Sequence, residues 1–221
     1  MYIDMAQETG YAEETILRCI RILKYFPQTV TNDTDTEDFL DDLLSDDSRE
    51  IIAEAASSLI QMGIFTEPGN ALRDIGYFKN IVLLDPPNKN TLLSQGYNSS
   101  NPVISLRAAI ELSLINETDE AFDAAEDFIV LESIPSGVDE QEFYRCKMRS
   151  IWILRCRSSS SDISLIADAL ESSDAAIRFE AVSTLGALAT AENSTAISEL
   201  TSAYSSTNYG DVKYFIRQIF N

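Results

Sequence analysis

The chain has 221 residues, of which 45% are apolar and 24% are charged, a composition typical of a folded globular protein rather than a disordered one. It contains 36 Asp and Glu against 16 Lys and Arg, and the net charge of −20 disfavours general binding to nucleic acid or to anionic membranes. The sequence has no histidine, which excludes Ser-His-Asp catalysis, Cys-His catalysis and histidine-ligated metals.

The cysteines and the N-terminal residues bear on the cellular compartment. Cys19, Cys146 and Cys156 are odd in number and widely spaced, so we expect small buried residues in a reducing compartment rather than disulfides or a metal site. The N-terminal residues are acidic and lack the basic and apolar regions of a signal peptide. No apolar run reaches the roughly 20 residues that span a bilayer. The sequence therefore predicts a cytoplasmic protein that does not associate with membranes.

Apolar residues recur at helical spacing along most of the chain, and eight glycines and six prolines are too few to separate many strands. These features predict an all-α fold. The longer amphipathic helices are predicted, in chain order, at 11–25, 48–62, 102–115, 140–157, 174–189 and 209–220. Shorter amphipathic helices precede several of them. The segment 83–102, with Pro86, Pro87 and Gly96, predicts an irregular insertion rather than a helix.

One apolar position recurs in each longer helix, at Leu23, Leu59, Leu114, Leu154, Leu185 and Phe220. The intervals between these positions are 36, 55, 40, 31 and 35 residues, and the interval of 55 contains the 83–102 insertion. Helix pairs of this size cannot bury their apolar faces alone, so the spacing predicts that they stack as a solenoid in which the longer helix is the second helix of each pair.

The segment 174–188 contains the most complete copy of the repeat. Its residues Asp174, Arg178, Ala181, Leu185 and Gly186 resemble the HEAT-like repeat, including the short bacterial variety. The resemblance implies one domain over 1–221, a right-handed α-α superhelix of about five to six helix pairs. It also implies that the first helices lie on the convex side and that the second helices line the concave side. Proteins of this family mostly serve as protein-binding scaffolds.

The cations are concentrated on the second helices. These spans hold 13 of the 16 Lys and Arg and only ten acids, so their net charge is +3 and that of the rest of the chain is −23. We therefore expect a near-neutral or mildly basic concave surface. The candidate partner-binding residues on it are Arg107, Arg145, Arg149, Trp152, Arg178, Tyr214 and Arg217. Two alternatives remain open: Arg178 pairs with a helix cap such as Asp174, and Trp152 belongs to the core.

Two acidic runs form a second candidate surface. The first begins like a calcium loop at Asp33, but Asp38 stands where that loop needs glycine and Leu44 stands where it needs a bidentate glutamate. The second lies on the polar side of a predicted helix at 120–131, which argues against general acid–base catalysis. The candidate residues for a basic partner are Asp38, Asp41, Asp42, Asp46, Asp47, Asp119, Asp123 and Asp127.

These patterns favour a non-catalytic protein-binding scaffold that acts through its concave face, with no cofactor and with a monomer slightly favoured. An alternative is an acidic immunity-type inhibitor that neutralises a basic toxin such as a nuclease. A further alternative is enzymatic, because some small HEAT-like proteins resemble chromophore lyases or DNA-repair glycosylases. The net charge argues against the glycosylase, and no residue stands out as catalytic for the lyase.

Overall fold

The computed structural model describes residues 13–24, 34–116 and 119–220, and within these ranges it contains helices and turns but no strand. The all-α prediction is therefore confirmed. The thirteen α-helices of these ranges are α1 Glu13–Lys24, α2 Thr34–Asp42, α3 Arg49–Gln61, α4 Thr66–Asp74, α5 Phe78–Leu84, α6 Lys89–Tyr97, α7 Pro102–Asn116, α8 Glu120–Ile129, α9 Glu140–Arg157, α10 Ser160–Asp168, α11 Ala175–Thr190, α12 Ser194–Ser206 and α13 Gly210–Phe220. Short 3₁₀ turns follow α2 and α10, at Leu43–Ser45 and Ala169–Glu171.

The longer helices lie where the apolar spacing predicts them. Helices α3, α7, α9, α11 and α13 begin and end within one residue of the predicted bounds. For α1, the predicted ends at 11, 12 and 25 lie outside the described residues. The predicted cap of α11 is confirmed, because the Asp174 carboxylate accepts hydrogen bonds from the backbone N–H groups of Ala176 and Ile177, at 2.8 and 3.0 Å.

The helices group into two compact units. Unit 1 comprises the described residues up to Ser100 together with Arg107–Ile115, and unit 2 comprises Asn101–Leu106 with the described residues from Asn116 onward. In unit 1, α3 packs against α1, α2, α4 and α5. Its core contains Leu17, Ile20, Phe39, Leu40, Ile51, Ala55 and Leu59.

The 83–102 segment is more regular than its sequence predicts, because Lys89–Tyr97 forms the helix α6. Pro86 and Pro87 precede this helix and do not interrupt it. Gly96 is required for close packing, since a Cβ atom there would lie 2.4 Å from the ring of Phe78. The expectation of an irregular insertion is therefore wrong for these nine residues.

Unit 2 consists of two layers of helices. The first helices α8, α10 and α12 pack in sequence against one another, and so do the second helices α9, α11 and α13. Each first helix also packs against the second helix that follows it. Neighbour-to-neighbour packing of this kind is the arrangement expected of α-α repeats.

The recurring apolar position is buried as predicted in unit 2, but in α7 the buried residue is not the predicted one. Leu154 and Leu185 are both fully buried, as the interval of 31 predicts. Leu114 is 74% exposed, and Leu112 is buried in its place, because a shift of two residues turns a side chain by about 200° around a helix. Phe220, in the last turn of α13, is half exposed.

The described helices include none that is both long enough and apolar enough to span a bilayer. Cys19 and Cys146 are buried as expected, but Cys156 is exposed. Cys156 lies in the last turn of α9.

Candidate binding surface

One side of α9 carries a stripe of exposed residues. Arg145, Arg149, Trp152 and Cys156 follow one another at four, three and four residues, which places them on one face of the helix. The Trp152 side chain is 59% exposed. The alternative that Trp152 is a core residue is therefore wrong.

Equivalent stripes lie on the next two second helices. Ala176, Ser183 and Ala187 of α11 stand 31 residues after Arg145, Trp152 and Cys156, and they are exposed as well. Phe179 lies on the same side of α11 and is 51% exposed. On α13, Tyr214 and Gln218 stand 35 residues after Phe179 and Ser183 and are also exposed.

The helices that carry these stripes are neighbours. α9 packs against α11, and α11 packs against α13. The Phe179 and Phe215 rings are 5.1 Å apart, and the Tyr214 ring is 5.4 Å from that of Phe215. We call this surface of unit 2 the second-helix face, and we define it by Arg145, Arg149, Trp152, Cys156, Ala176, Phe179, Ser183, Ala187, Tyr214 and Gln218.

The second-helix face differs in charge from the rest of the molecule. Its exposed residues include two arginines and no carboxylate, whereas Glu180 and Asp211, at the repeat positions of Arg149 and Arg145, are partly buried beside them. Neither Arg145 nor Arg149 forms an ion pair with another described residue. The structure thus brings together four of the predicted concave residues, Arg145, Arg149, Trp152 and Tyr214.

Arg178 does not belong to this face, contrary to expectation. Only 8% of its surface is exposed. Its Nη2 and Nε atoms lie 2.6 and 3.1 Å from Oδ2 of Asp211, and its Nη1 donates to the carbonyls of Ser172 and Ser173 at 2.8 and 2.9 Å. Its guanidinium also lies 4.1 Å from the centre of the Tyr209 ring. Arg178 therefore joins α11 to α13, since a cation of this geometry satisfies all of these acceptors at once.

The expected pairing of Arg178 with a helix cap such as Asp174 is wrong, because its carboxylate partner lies within the first turn of another helix. Asp174 caps its own helix, whereas Asp211 in the first turn of α13 receives the guanidinium. The hydrogen bonds from Arg178 hold the pKa of Asp211 below its ordinary value, against a smaller opposing effect of burial.

A second structural arginine lies at the end of α9. Arg157 donates from Nη2 and Nε to the two carboxylate oxygens of Asp162, at 2.6 and 3.0 Å, and it also pairs with Glu126 of α8. Asp162 is fully buried and forms a capping box with Ser159. Burial alone would raise the pKa of Asp162, but the hydrogen bonds from Arg157 and Ser159 lower it below its ordinary value.

Two further predicted residues lie apart from the second-helix face. Arg217 is exposed, but its Nε donates to the Tyr204 hydroxyl at 2.6 Å, so its side chain is directed toward the first helix α12. Arg107 is partly buried on α7, in the part of that helix that belongs to unit 1.

The predicted acidic residues are divided between the two units. Asp38, Asp41 and Asp42 are exposed on α2 of unit 1, and none forms an ion pair with another described residue. Asp46 is partly buried, and its carboxylate accepts from the backbone N–H of Ser48 at 2.7 Å; Asp47 is exposed beside it. The remaining three, Asp119, Asp123 and Asp127, are exposed in unit 2. Asp33 lies outside the described residues.

A cavity of about 520 Å³ in unit 2 was not predicted from the sequence. Ile129, Leu165 and Ile177 line it together with Lys147 of α9 and Glu132, and the Lys147 ammonium lies 5.4 Å from the centre of the Phe143 ring. Burial lowers the pKa of Lys147, and Glu132 partly opposes that effect. Lys147 precedes Arg178 by 31 residues, so the two occupy the same repeat position.

Comparison with known proteins does not identify the family of this chain. No protein-family model and no curated protein matches the chain. Three solved structures, each described as an engineered protein of the Northeast Structural Genomics Consortium, resemble it over 99% of its length. Their identities are 16, 17 and 14%, their TM-scores are 0.34, 0.37 and 0.32, and the alignments cover 93, 67 and 96% of those chains. Likeness at this level identifies neither a family nor a function.

Proposed function

We propose that this protein is a non-catalytic protein-binding module of HEAT-like repeats that acts in the cytoplasm through its second-helix face. Its main support is that Trp152, Phe179 and Tyr214, on three consecutive second helices, are each more than half exposed. Large aromatic side chains exposed together on packed helices are costly in water and serve as anchors in protein interfaces.

The details of the repeat agree with the HEAT-like part of the proposal. Asp174 caps α11, and Arg178 joins its helix to the next second helix. Gly186 allows close packing, because a Cβ atom there would lie 2.6 Å from Cδ1 of Ile219. The charge of −20 disfavours nucleic acid as the partner.

Affinity capture from the native host tests this function. The wild-type protein is compared with the double variant Trp152→Ala/Tyr214→Ala and with the control Leu83→Ala, which removes a 72% exposed apolar side chain of unit 1. We expect a captured protein that the control retains and that the double variant loses by about tenfold or more. Equal capture by all three proteins would show that the second-helix face is not the binding surface.

A second candidate function is inhibition of a basic partner, as in an immunity protein. It is favoured by the exposed carboxylates of Asp38, Asp41 and Asp42 on α2, which form no ion pair with described residues. The variant Asp41→Lys/Asp42→Lys would then abolish binding, while Asp168→Lys/Glu171→Lys, at two exposed carboxylates of unit 2 outside both acidic runs, is the matched control. Binding of this type also weakens steeply as salt is added. Unchanged binding of the α2 variant would exclude this candidate.

A further inference from the structure

The second-helix face combines apolar and cationic groups in a definite order. Neighbouring helices pack at about 8 to 10 Å, so Trp152, Phe179 and Tyr214 extend across about 20 Å of surface. Arg145 and Arg149 lie on α9 before Trp152, one turn apart, with about 6 Å between their Cβ atoms. A partner on this face would therefore meet apolar rings across three helices and positive charge along one side.

The two arginines form no ion pair with another described residue and are free to bind a carboxylate from a partner. Two other arginines of unit 2 are satisfied internally, Arg157 by Asp162 and Arg178 by Asp211, whereas the exposed Arg155 forms no ion pair with a described residue either. Arg145 and Arg149 have no such carboxylate and repel each other. A guanidinium group binds a carboxylate in a bidentate fashion, so a carboxylate is the group that best complements this pair.

On this basis we infer that the second-helix face binds an acidic, amphipathic segment of a partner protein. Its apolar side chains pack on Trp152, Phe179 and Tyr214, and its carboxylates approach Arg145 and Arg149. The inference rests on the proposed function, and it adds the chemical character of the partner.

A second copy of this chain does not supply such a segment from its acidic helices. In α2 the apolar residues Phe39 and Leu40 are buried, and in α8 Phe128 and Ile129 are buried. Both helices therefore offer carboxylates without apolar anchors. The occupant has to present both kinds of side chain on one surface, as amphipathic helices do when they bind in a groove.

Synthetic peptides of known charge test the inference. The probe is a fluorescein-labelled peptide of about 14 residues with Leu and Phe at helical spacing and Glu elsewhere. Two counterparts carry Gln or Lys in place of every Glu. Anisotropy gives the affinity of each peptide. Trp152 is the only tryptophan, so its emission reports whether a peptide lies on this face. We expect the Glu peptide to bind about tenfold more tightly than the Gln peptide, and we expect the Lys peptide not to shift the Trp152 emission.

Matched variants assign the charge effect to the two arginines. Arg145→Gln/Arg149→Gln should weaken the Glu peptide about tenfold and leave the Gln peptide unchanged. Arg18→Gln/Arg21→Gln, which removes two exposed charges from α1 of unit 1, should change neither affinity. Alkylation of the exposed Cys156 should slow when the Glu peptide is bound.

The outcomes separate this inference from the proposed function. If the Gln or Lys peptide binds as tightly as the Glu peptide and shifts the Trp152 emission, the face binds apolar segments and the acidic partner is excluded. Binding of no peptide also overturns the inference. The proposed function fails separately, when captured proteins are retained by Trp152→Ala/Tyr214→Ala.

Discussion

Two junctions between second helices differ although they occupy the same place in consecutive repeats. At the α11–α13 junction, Arg178 is buried and pairs with Asp211. At the α9–α11 junction, the equivalent cation is Lys147, and Ala176 stands where the interval of 35 places Asp211. Lys147 instead lines a cavity of about 520 Å³. A cation at this repeat position thus links two second helices only where the next repeat supplies a carboxylate.

The largest effect on stability is expected at the α11–α13 junction, where the ion pair is present. Arg178→Met keeps the apolar stem but removes the ion pair with Asp211 and the bonds to two carbonyls, so we expect a loss of about 2 kcal/mol in the free energy of unfolding. Urea denaturation measures it. Lys147→Met at the other junction is the control. Equal losses for the two variants would contradict the difference between the junctions.

The contribution of Asp211 should depend on pH. Its pKa is lowered in the folded protein, so the stabilisation is present above the unfolded pKa of about 4 and is lost as the pH falls through the folded value. The difference between wild type and Arg178→Met should therefore shrink between pH 6 and about pH 2.5. Urea midpoints at both pH values measure it, and a constant difference would show that the ion pair contributes nothing.

An Arg–Asp ion pair can be introduced at the α9–α11 junction, which lacks one. Lys147→Arg/Ala176→Asp places at α9–α11 the residues found at α11–α13, and we expect a gain of about 1 kcal/mol, with a favourable coupling in a double-mutant cycle. The four proteins of the cycle are compared by urea denaturation. Additive effects of the two substitutions would mean that the new side chains do not meet.

Removing the charge of Lys147 should stabilise the protein slightly. Burial lowers the pKa of Lys147, so the charged amine is less stable in the folded state than in the unfolded state. At neutral pH the amine is charged, and this free-energy cost is present in full. Lys147→Met should therefore raise the melting temperature by a few degrees or less at pH 7. The gain should vanish at alkaline pH, where the wild-type amine is neutral in both states. A lower melting temperature of Lys147→Met at pH 7 would show that the charge of Lys147 stabilises the folded protein instead.

The smallest effect on stability is expected on the second-helix face. Arg145→Gln/Arg149→Gln removes two exposed charges that make no ion pair with described residues, and the free energy of unfolding should change by no more than about 0.5 kcal/mol. The same variant is the one expected to weaken the acidic peptide. A loss comparable to that of Arg178→Met would assign these arginines to the fold instead.

Helical periodicity was sufficient to predict the second helices, and the Asp174 cap followed from a local rule. The failures concern contacts between distant parts of the chain. Asp211 follows Arg178 by 33 residues, so the ion pair depends on how two helices pack. Leu112 and Leu114 fit the apolar spacing about equally well, and only the neighbouring helices decide which is buried. The α6 helix was missed because Gly96 indicates a turn, although here it admits the ring of Phe78.

The candidate surface was predicted in part for similar reasons. Arg145, Arg149 and Trp152 share a helical stripe that can be read from the sequence. Phe179 was missed, because an aromatic residue on an amphipathic helix is ordinarily counted as core. Exposure of that side chain depends on the helices around it. The cavity beside Lys147 likewise arises from several elements that are distant in sequence.

The capping box at Asp162 has a consequence for how a partner is bound. This carboxylate receives the backbone N–H of Ser159 and the guanidinium of Arg157, so it locks the two-residue connection between α9 and α10. The orientation of α9 is then set by folding rather than by the partner. Little backbone conformational entropy is left to lose at this connection when a partner docks beside Trp152, and less of the contact energy is spent on ordering the backbone.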